Sequence, residues 1–120
     1  MPQREPLTYA KIEDNLRLVM NRTERLVEEF AAAVDAKAPA EAAFKSAWAR
    51  ARIQFRAERQ GQKVTEGMVD DHATVATEQE HLAYLLAQAA YESKKQALYN
   101  AQRLADDLRS LMASYRETSG

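Results

Sequence analysis

The residues of this chain best suited to chemistry are four cations at helical spacing, Arg52, Arg56, Arg59 and Lys63. Positions three or four apart lie on one face of a helix, so these side chains would form one basic surface. A single acidic residue interrupts the basic residues between positions 45 and 63. Such a surface suits the phosphates of a nucleic acid or the carboxylates of a protein. We therefore predict binding of nucleic acid or of an acidic partner through Lys45, Arg52, Arg56, Arg59 and Lys63.

An acidic block follows the basic stretch directly, and residues 64–93 contain no Lys or Arg. The block begins with Glu66, Asp70, Asp71, Glu78 and Glu80. If the chain reverses at the turn predicted for residues 60–63, the acidic side chains would face the basic ones within the monomer. The basic surface would then be neutralised internally, so the sequence leaves ion pairing and partner binding as alternatives.

Other chemistry finds little support in the sequence. The two histidines, His72 and His81, do not match metal-binding spacings such as His-x3-His. Asp70 and Asp71 are adjacent, so on a helix they point about 100° apart, and no nucleophile or base accompanies them. The chain has no Cys, no Gly-rich phosphate loop and no Gly-x-Ser-x-Gly motif. We expect no catalytic residues, no metal and no cofactor.

The composition is typical of long helices. Gly and Pro number three each, and much of the 46% hydrophobic content is alanine. Strand patterns are nearly absent. The absence of Cys fits a reducing compartment, no 18-residue apolar run is present, and the first residues lack a signal-peptide core. These features predict an all-α protein of the cytoplasm that does not enter the membrane.

The sequence predicts one helical domain over residues 8–117, between a disordered leader at 1–7 and a frayed tail at 118–120. Pro39 disfavours helical backbone at the preceding residue and suits the first turn of a new helix, so a break or kink is expected within 35–39. Thr77 and Glu80 match a capping box, which marks a helix start. The predicted helices cover about residues 8–36, 39–60, 65–73 and 77–116.

Apolar stripes run along the first and last helices. The first stripe follows a heptad pattern, whereas the last recurs every eleven residues at Leu82, Ser93, Leu104 and Tyr115. A helix of about 40 residues, roughly 60 Å long, needs a partner along its length. We therefore predict an elongated helical hairpin or bundle with coiled-coil-like packing and one long C-terminal helix. The last stripe would pack antiparallel against the helix at 39–60.

The stripes also predict self-association, because they offer more apolar surface than a monomer of this size covers. Asn100 lies among the leucines of the last stripe, and a buried Asn commonly sets the register of associating helices. The predicted oligomer interface contains Tyr9, Leu16, Leu26, Phe30 and Asn100. Trp48, Phe44 and Phe55 would stack on unpaired bases if exposed, but their spacing favours a core or an interface.

Residues 41–115 resemble a family of small helical proteins. The likeness rests on Glu-Ala-Ala-Phe-Lys at 41–45, Trp-Ala-Arg-Ala-Arg at 48–52, a turn with Gly61 and Lys63, Leu-Ala-Tyr at 82–84, and Leu-Arg-Ser-Leu at 108–111. These features resemble accessory proteins from the early and recombination regions of bacteriophages of actinobacteria and other Gram-positive hosts. The resemblance implies phage origin, the host cytoplasm and a DNA-linked role, without catalytic residues.

Two functions are therefore expected from the sequence. The first is a non-enzymatic phage accessory protein in DNA recombination or replication, which binds single-stranded DNA or a DNA-handling protein. The alternative is an adaptor or inhibitor that binds a host protein through exposed helical surfaces. A homo-oligomer is expected in both cases.

Overall fold

The protein folds into three α-helices. A computed structural model describes residues 8–119, apart from the side chain of residue 119, and the helices within that range are α1 (Tyr9–Glu58), α2 (Glu66–Ala76) and α3 (Glu78–Ser119). The part of the chain so described contains no strand and is all-α with a long C-terminal helix, as predicted. None of these helices has the length and apolar character required to cross a bilayer. The leader predicted at 1–7 lies outside the described residues.

Helix α1 runs through Pro39 without interruption, so the predicted break within 35–39 is wrong. A proline inside a helix removes one backbone hydrogen bond and costs about 3 kcal/mol. Here Pro39 lies on the exposed side of α1, while the inner positions continue in steps of four, three and four through Ala33, Lys37, Ala40 and Phe44. Alanines surround the proline. Their helix propensity and the unbroken inner face outweigh the loss of one hydrogen bond.

The helix ends are partly those that the sequence predicts. Thr8 and Thr65 cap α1 and α2, since their hydroxyls accept hydrogen bonds from the backbone N–H groups of Lys11 and Met68, each at 3.2 Å. The capping box predicted at Thr77 does not form, but the helix start that it marked is right, since the Thr77 carbonyl accepts from the backbone N–H of His81 at 2.9 Å. The Thr77 hydroxyl and N–H both donate back to the carbonyl of Ala73, at 2.7 and 3.1 Å, so Thr77 closes α2. Helix α3 begins one residue later and ends at Ser119, beyond the predicted end.

The chain divides into two compact units, and each unit contains segments of α1 and α3. The first unit contains Met1–Ala31 and Ser93–Gly120. Its buried side chains are Ile12 and Leu26 from α1 and Ala101 and Ala105 from α3. The two helix segments run antiparallel in this unit: Glu29 pairs with Lys94 at 2.8 Å, whereas Tyr9 contacts Arg116.

The second unit, Ala32–Glu92, contains α2 and the turn that reverses the chain. Its core is formed by Ala51, Phe55, Val69, Ala73 and the buried Thr77. Gly61 adopts a φ of +86° in the turn, a conformation that suits glycine because it has no Cβ. Here too α1 and α3 are antiparallel, since Lys37 lies over the ring of Tyr91 at 4.4 Å and Phe44 meets His81 at 4.6 Å.

The inner face of α3 differs from the predicted leucine stripe. The less exposed positions recur every seven residues, in the two series Tyr84, Tyr91, Leu98, Ala105, Met112 and Ala87, Lys94, Ala101, Leu108, Tyr115. Leu82, Leu86 and Leu104 are exposed, so the prediction that this stripe packs against the helix at 39–60 is wrong. In the first unit the small Ala101 and Ala105 share the core with the larger Ile12 and Leu26. Alanines on one helix allow large side chains on the other to fill the space between them.

Candidate functional site

The basic stretch and the acidic block meet across the turn between α1 and α2. Arg52 donates to one carboxylate oxygen of Glu66 at 2.7 Å, and Arg56 donates to the other oxygen. Arg52 also pairs with Asp70, one helical turn further along α2. We call these four residues the ion-pair cluster: Arg52, Arg56, Glu66 and Asp70. The internal pairing that the sequence left open is thus present, because the turn places the two charged faces opposite each other.

Electrostatics within the ion-pair cluster keep Glu66 ionised. The hydrogen bond from Arg52 and the positive charge of Arg56 lower the pKa of the Glu66 carboxyl below the ordinary value of a glutamate. The cluster nevertheless faces solvent, since the side chains of Glu66 and Arg56 are 70% and 49% exposed. Water and salt therefore screen these charges, and the ion pairs are open to exchange with other ions.

The remaining predicted binding residues have separate surroundings. The Arg59 guanidinium lies over the ring of Phe55 at 3.7 Å, and Lys63 is exposed in the turn. Lys45 pairs with Glu41 on the same helix at 2.9 Å, and this hydrogen bond raises the pKa of Lys45. The structure thus joins Arg52 and Arg56 through one carboxylate but does not join all five cations. Binding of nucleic acid or an acidic partner by these residues stays a prediction.

The aromatic residues and histidines pack against one another in the second unit. Phe55 is buried, and the half-buried rings of Phe44 and Trp48 are stacked with centroids 6.2 Å apart. A shallow cavity of about 240 Å³ opens beside Phe44, Lys45 and Trp48. His72 lies against Phe55, with ring centroids 4.8 Å apart, and His81 meets Phe44 edge-on. Among the described residues no group of three or more His, Cys, Asp or Glu side chains is placed to hold a metal.

Comparisons of the chain with models of protein families, with curated proteins and with solved structures give no match. The resemblance to phage accessory proteins therefore stays a prediction.

The residues predicted for an oligomer interface fall into two groups. Tyr9, Leu16, Leu26 and Phe30 lie on the inner face of α1, where Leu26 is buried, and their contact with a second chain stays a prediction. Asn100 is exposed, and its side-chain oxygen accepts a hydrogen bond from Gln96 at 3.0 Å. Self-association of the chain stays a prediction.

Residues 82–91, which begin one turn after the start of α3, carry a surface that the sequence interpretation missed. Residues 82–91 contain no charged side chain, and we call them the uncharged segment. Leu82, Leu85 and Leu86 are 57%, 47% and 62% exposed, although Tyr84 and Tyr91 on the opposite side are half-buried. The sequence did indicate this surface, because the segment has no charged residue on any side of the helix. A helix that is uncharged all round is typically in contact with other elements on more than one side. The interpretation of the eleven-residue pattern missed this surface, because it placed Leu82 and Leu86 on the inner face of α3.

Proposed function

We propose that this protein is a non-enzymatic helical interaction protein that associates with a second copy of itself through the uncharged segment. The observation that carries the proposal is the exposure of Leu82, Leu85 and Leu86 within two turns of α3. Monomeric proteins rarely expose contiguous apolar patches larger than a few hundred Å², and larger patches mark contact surfaces. Covering these leucines removes apolar surface from water, at about 25 cal/mol for each Å².

A second copy suits this surface because the segment is complementary to itself. In an antiparallel pair with its two-fold axis between positions 85 and 86, Leu82 would face Ala89 of the second copy, and Leu85 would face Leu86. Large residues then meet small ones at the ends of the contact, which allows the side chains to interdigitate. Neither copy brings a charge into the contact, so no ion would be buried without a partner.

The oligomeric state in solution tests this proposal. Light scattering on the wild type at about 50 µM should give at least twice the monomer mass of 13.6 kDa. Leu86→Glu should reduce the mass to that of the monomer, because a carboxylate would lie in an apolar contact. Leu18→Glu is the matched control, since Leu18 is 66% exposed on α1, outside the uncharged segment, and this variant should behave as the wild type. A monomeric wild type would refute self-association.

Disulfide cross-linking can report the orientation of the two copies, because the chain contains no Cys of its own. The variants Leu82→Cys and Ala89→Cys are prepared separately, mixed and oxidised. An antiparallel pair should yield mainly the mixed disulfide, since Cys residues cross-link only when their Cα atoms are within about 7 Å. Mainly homodimeric Leu82→Cys disulfides would instead indicate a parallel pair.

A further inference from the structure

One carboxylate in the ion-pair cluster bridges two guanidinium groups. The two oxygens of Glu66 accept from different arginines, Arg52 and Arg56, which lie one turn apart on α1. Two oxygens of a phosphate group, bearing the same sign of charge, satisfy two arginines in the same way. Glu66 thus occupies the place that a phosphate would take between these arginines.

Two aromatic residues, Phe44 and Trp48, precede the two arginines on the same face of α1. Phe44, Trp48, Arg52 and Arg56 follow at steps of four residues, about 6 Å apart along the helix, so they form one row on its surface. The shallow cavity beside Phe44, Lys45 and Trp48 leaves open space at the aromatic end of this row. Aromatic rings beside cations are the features with which proteins bind single-stranded nucleic acid, because bases stack while phosphates pair with the cations. An acidic protein would use the arginines but not the rings.

We propose that Arg52 and Arg56 form a phosphate-binding site for single-stranded nucleic acid, with bases stacking at Trp48, and that Glu66 occupies this site in the free protein. Exchange requires that the exposed Glu66 side chain rotate away, while Arg52 keeps its ion pair with Asp70. Helix α2 itself stays in place, since Val69 and Ala73 are fully buried. Arg52 and Arg56 lie on α1, outside the uncharged segment, although Phe44 of the same row meets Tyr84 of that segment with ring centroids 6.0 Å apart. The leucines proposed for self-association, Leu82, Leu85 and Leu86, are exposed.

Removal of the competing carboxylate tests the site. Fluorescence anisotropy is measured with a labelled oligothymidylate of about 20 nucleotides, at about 20 and 150 mM NaCl. Glu66→Gln should bind about 3-fold to 10-fold more tightly than the wild type, with a steeper dependence on salt, because more phosphate contacts form. Asp71→Asn is the matched control: it removes the same charge from an exposed position of α2 outside the ion-pair cluster, and its affinity should change less than about 2-fold. Adding Arg56→Gln to Glu66→Gln should abolish the gain.

Two further measurements separate the alternatives. Trp48 is the chain's one tryptophan, so quenching of its fluorescence by oligothymidylate, and not by polyglutamate, should report stacking of a base. The anisotropy measurement is repeated with Leu86→Glu added to each variant. Glu66→Gln should still bind the oligothymidylate more tightly there, whether or not the protein self-associates. Equal gains for Glu66→Gln and Asp71→Asn, or no binding by Glu66→Gln at low salt, would overturn the proposal. Equal binding of polyglutamate would overturn the assignment to nucleic acid.

Discussion

Arg116 donates two hydrogen bonds to the hydroxyl of Tyr9, at 2.8 and 3.1 Å, although 107 positions of sequence separate the two residues. The guanidinium also lies 5.8 Å from the centre of the Tyr9 ring. These contacts join the first turn of α1 to the last turn of α3 in the first unit, whose buried side chains among the described residues are Ile12, Leu26, Ala101 and Ala105. They hold together the ends of two helices that would otherwise fray.

Tyr9→Phe should therefore destabilise the first unit. The variant keeps the ring and loses the acceptor, which should lower the free energy of unfolding by about 0.5–1.5 kcal/mol. Urea denaturation followed by circular dichroism measures the change. Tyr99→Phe is the control, because Tyr99 is exposed on α3, and its stability should match that of the wild type. Equal losses for the two variants would show that the contact to Arg116 contributes nothing.

Docking of α2 should depend on one fully buried valine. Val69→Ala removes two methyl groups from the core of the second unit and leaves a cavity, which should cost about 1–3 kcal/mol. Val75→Ala is the same substitution on the same helix at a position that is 68% exposed, and its effect should stay within about 0.5 kcal/mol. Thermal denaturation of both variants provides the comparison. Similar melting temperatures would show that α2 is not anchored at Val69.

Replacement of Pro39 should stabilise the protein. Pro39→Ala restores a backbone N–H inside α1 and removes the clash of the proline ring with the carbonyl of Asp35, so the free energy of unfolding should rise by about 1–3 kcal/mol. Ala42→Gly, at an exposed position of the same helix, should lower it by about 1 kcal/mol. Both changes are measured by urea denaturation. A loss of stability in Pro39→Ala would mean that the proline supports the native course of α1.

Stability should fall in acid because three carboxyls have lowered pKa values. Hydrogen bonds from Lys94, Lys45 and Arg52 lower the pKa values of Glu29, Glu41 and Glu66, respectively. Each carboxyl stabilises the fold above its unfolded pKa near 4.5, and the contribution disappears as the pH falls through the lowered folded value.

Melting temperatures between about pH 7 and pH 3 measure this dependence. The decrease should begin near pH 5 and should be smaller in about 1 M NaCl, since salt screens exposed ion pairs. Glu66→Gln lacks one of the three carboxyls and should therefore show a shallower decrease. A profile of Glu66→Gln that is parallel to the wild type at every pH would contradict a role for the Glu66 ion pairs in stability.

Several features of the protein follow from the sequence alone. Low Gly and Pro content with abundant Ala determines that the chain is helical, and the threonines at positions 8 and 65 determine where two helices begin. The steps of three and four residues identify the inner face of α1, because the seam that they define contains the buried Ile12, Leu26 and Phe55, whereas large apolar residues off that seam, such as Leu18 and Ile53, are exposed. The charge blocks on either side of Gly61 predicted a place where oppositely charged faces would meet, and Arg52, Arg56, Glu66 and Asp70 meet there.

Only the tertiary structure decided which face of α3 lies inside. By size and hydropathy Leu82, Leu86 and Leu104 were the stronger candidates, yet the inner positions include Ala101 and Ala105. The volume available at a helix contact depends on both partners, so large residues on α1 require small ones on α3. Tertiary contacts likewise keep α1 continuous at Pro39. The cost of a proline inside a helix, about 3 kcal/mol, is smaller than the stabilisation from side-chain packing along a helix of 50 residues. Local sequence reports the preferences of one segment, whereas the choice between faces depends on segments that are distant in sequence.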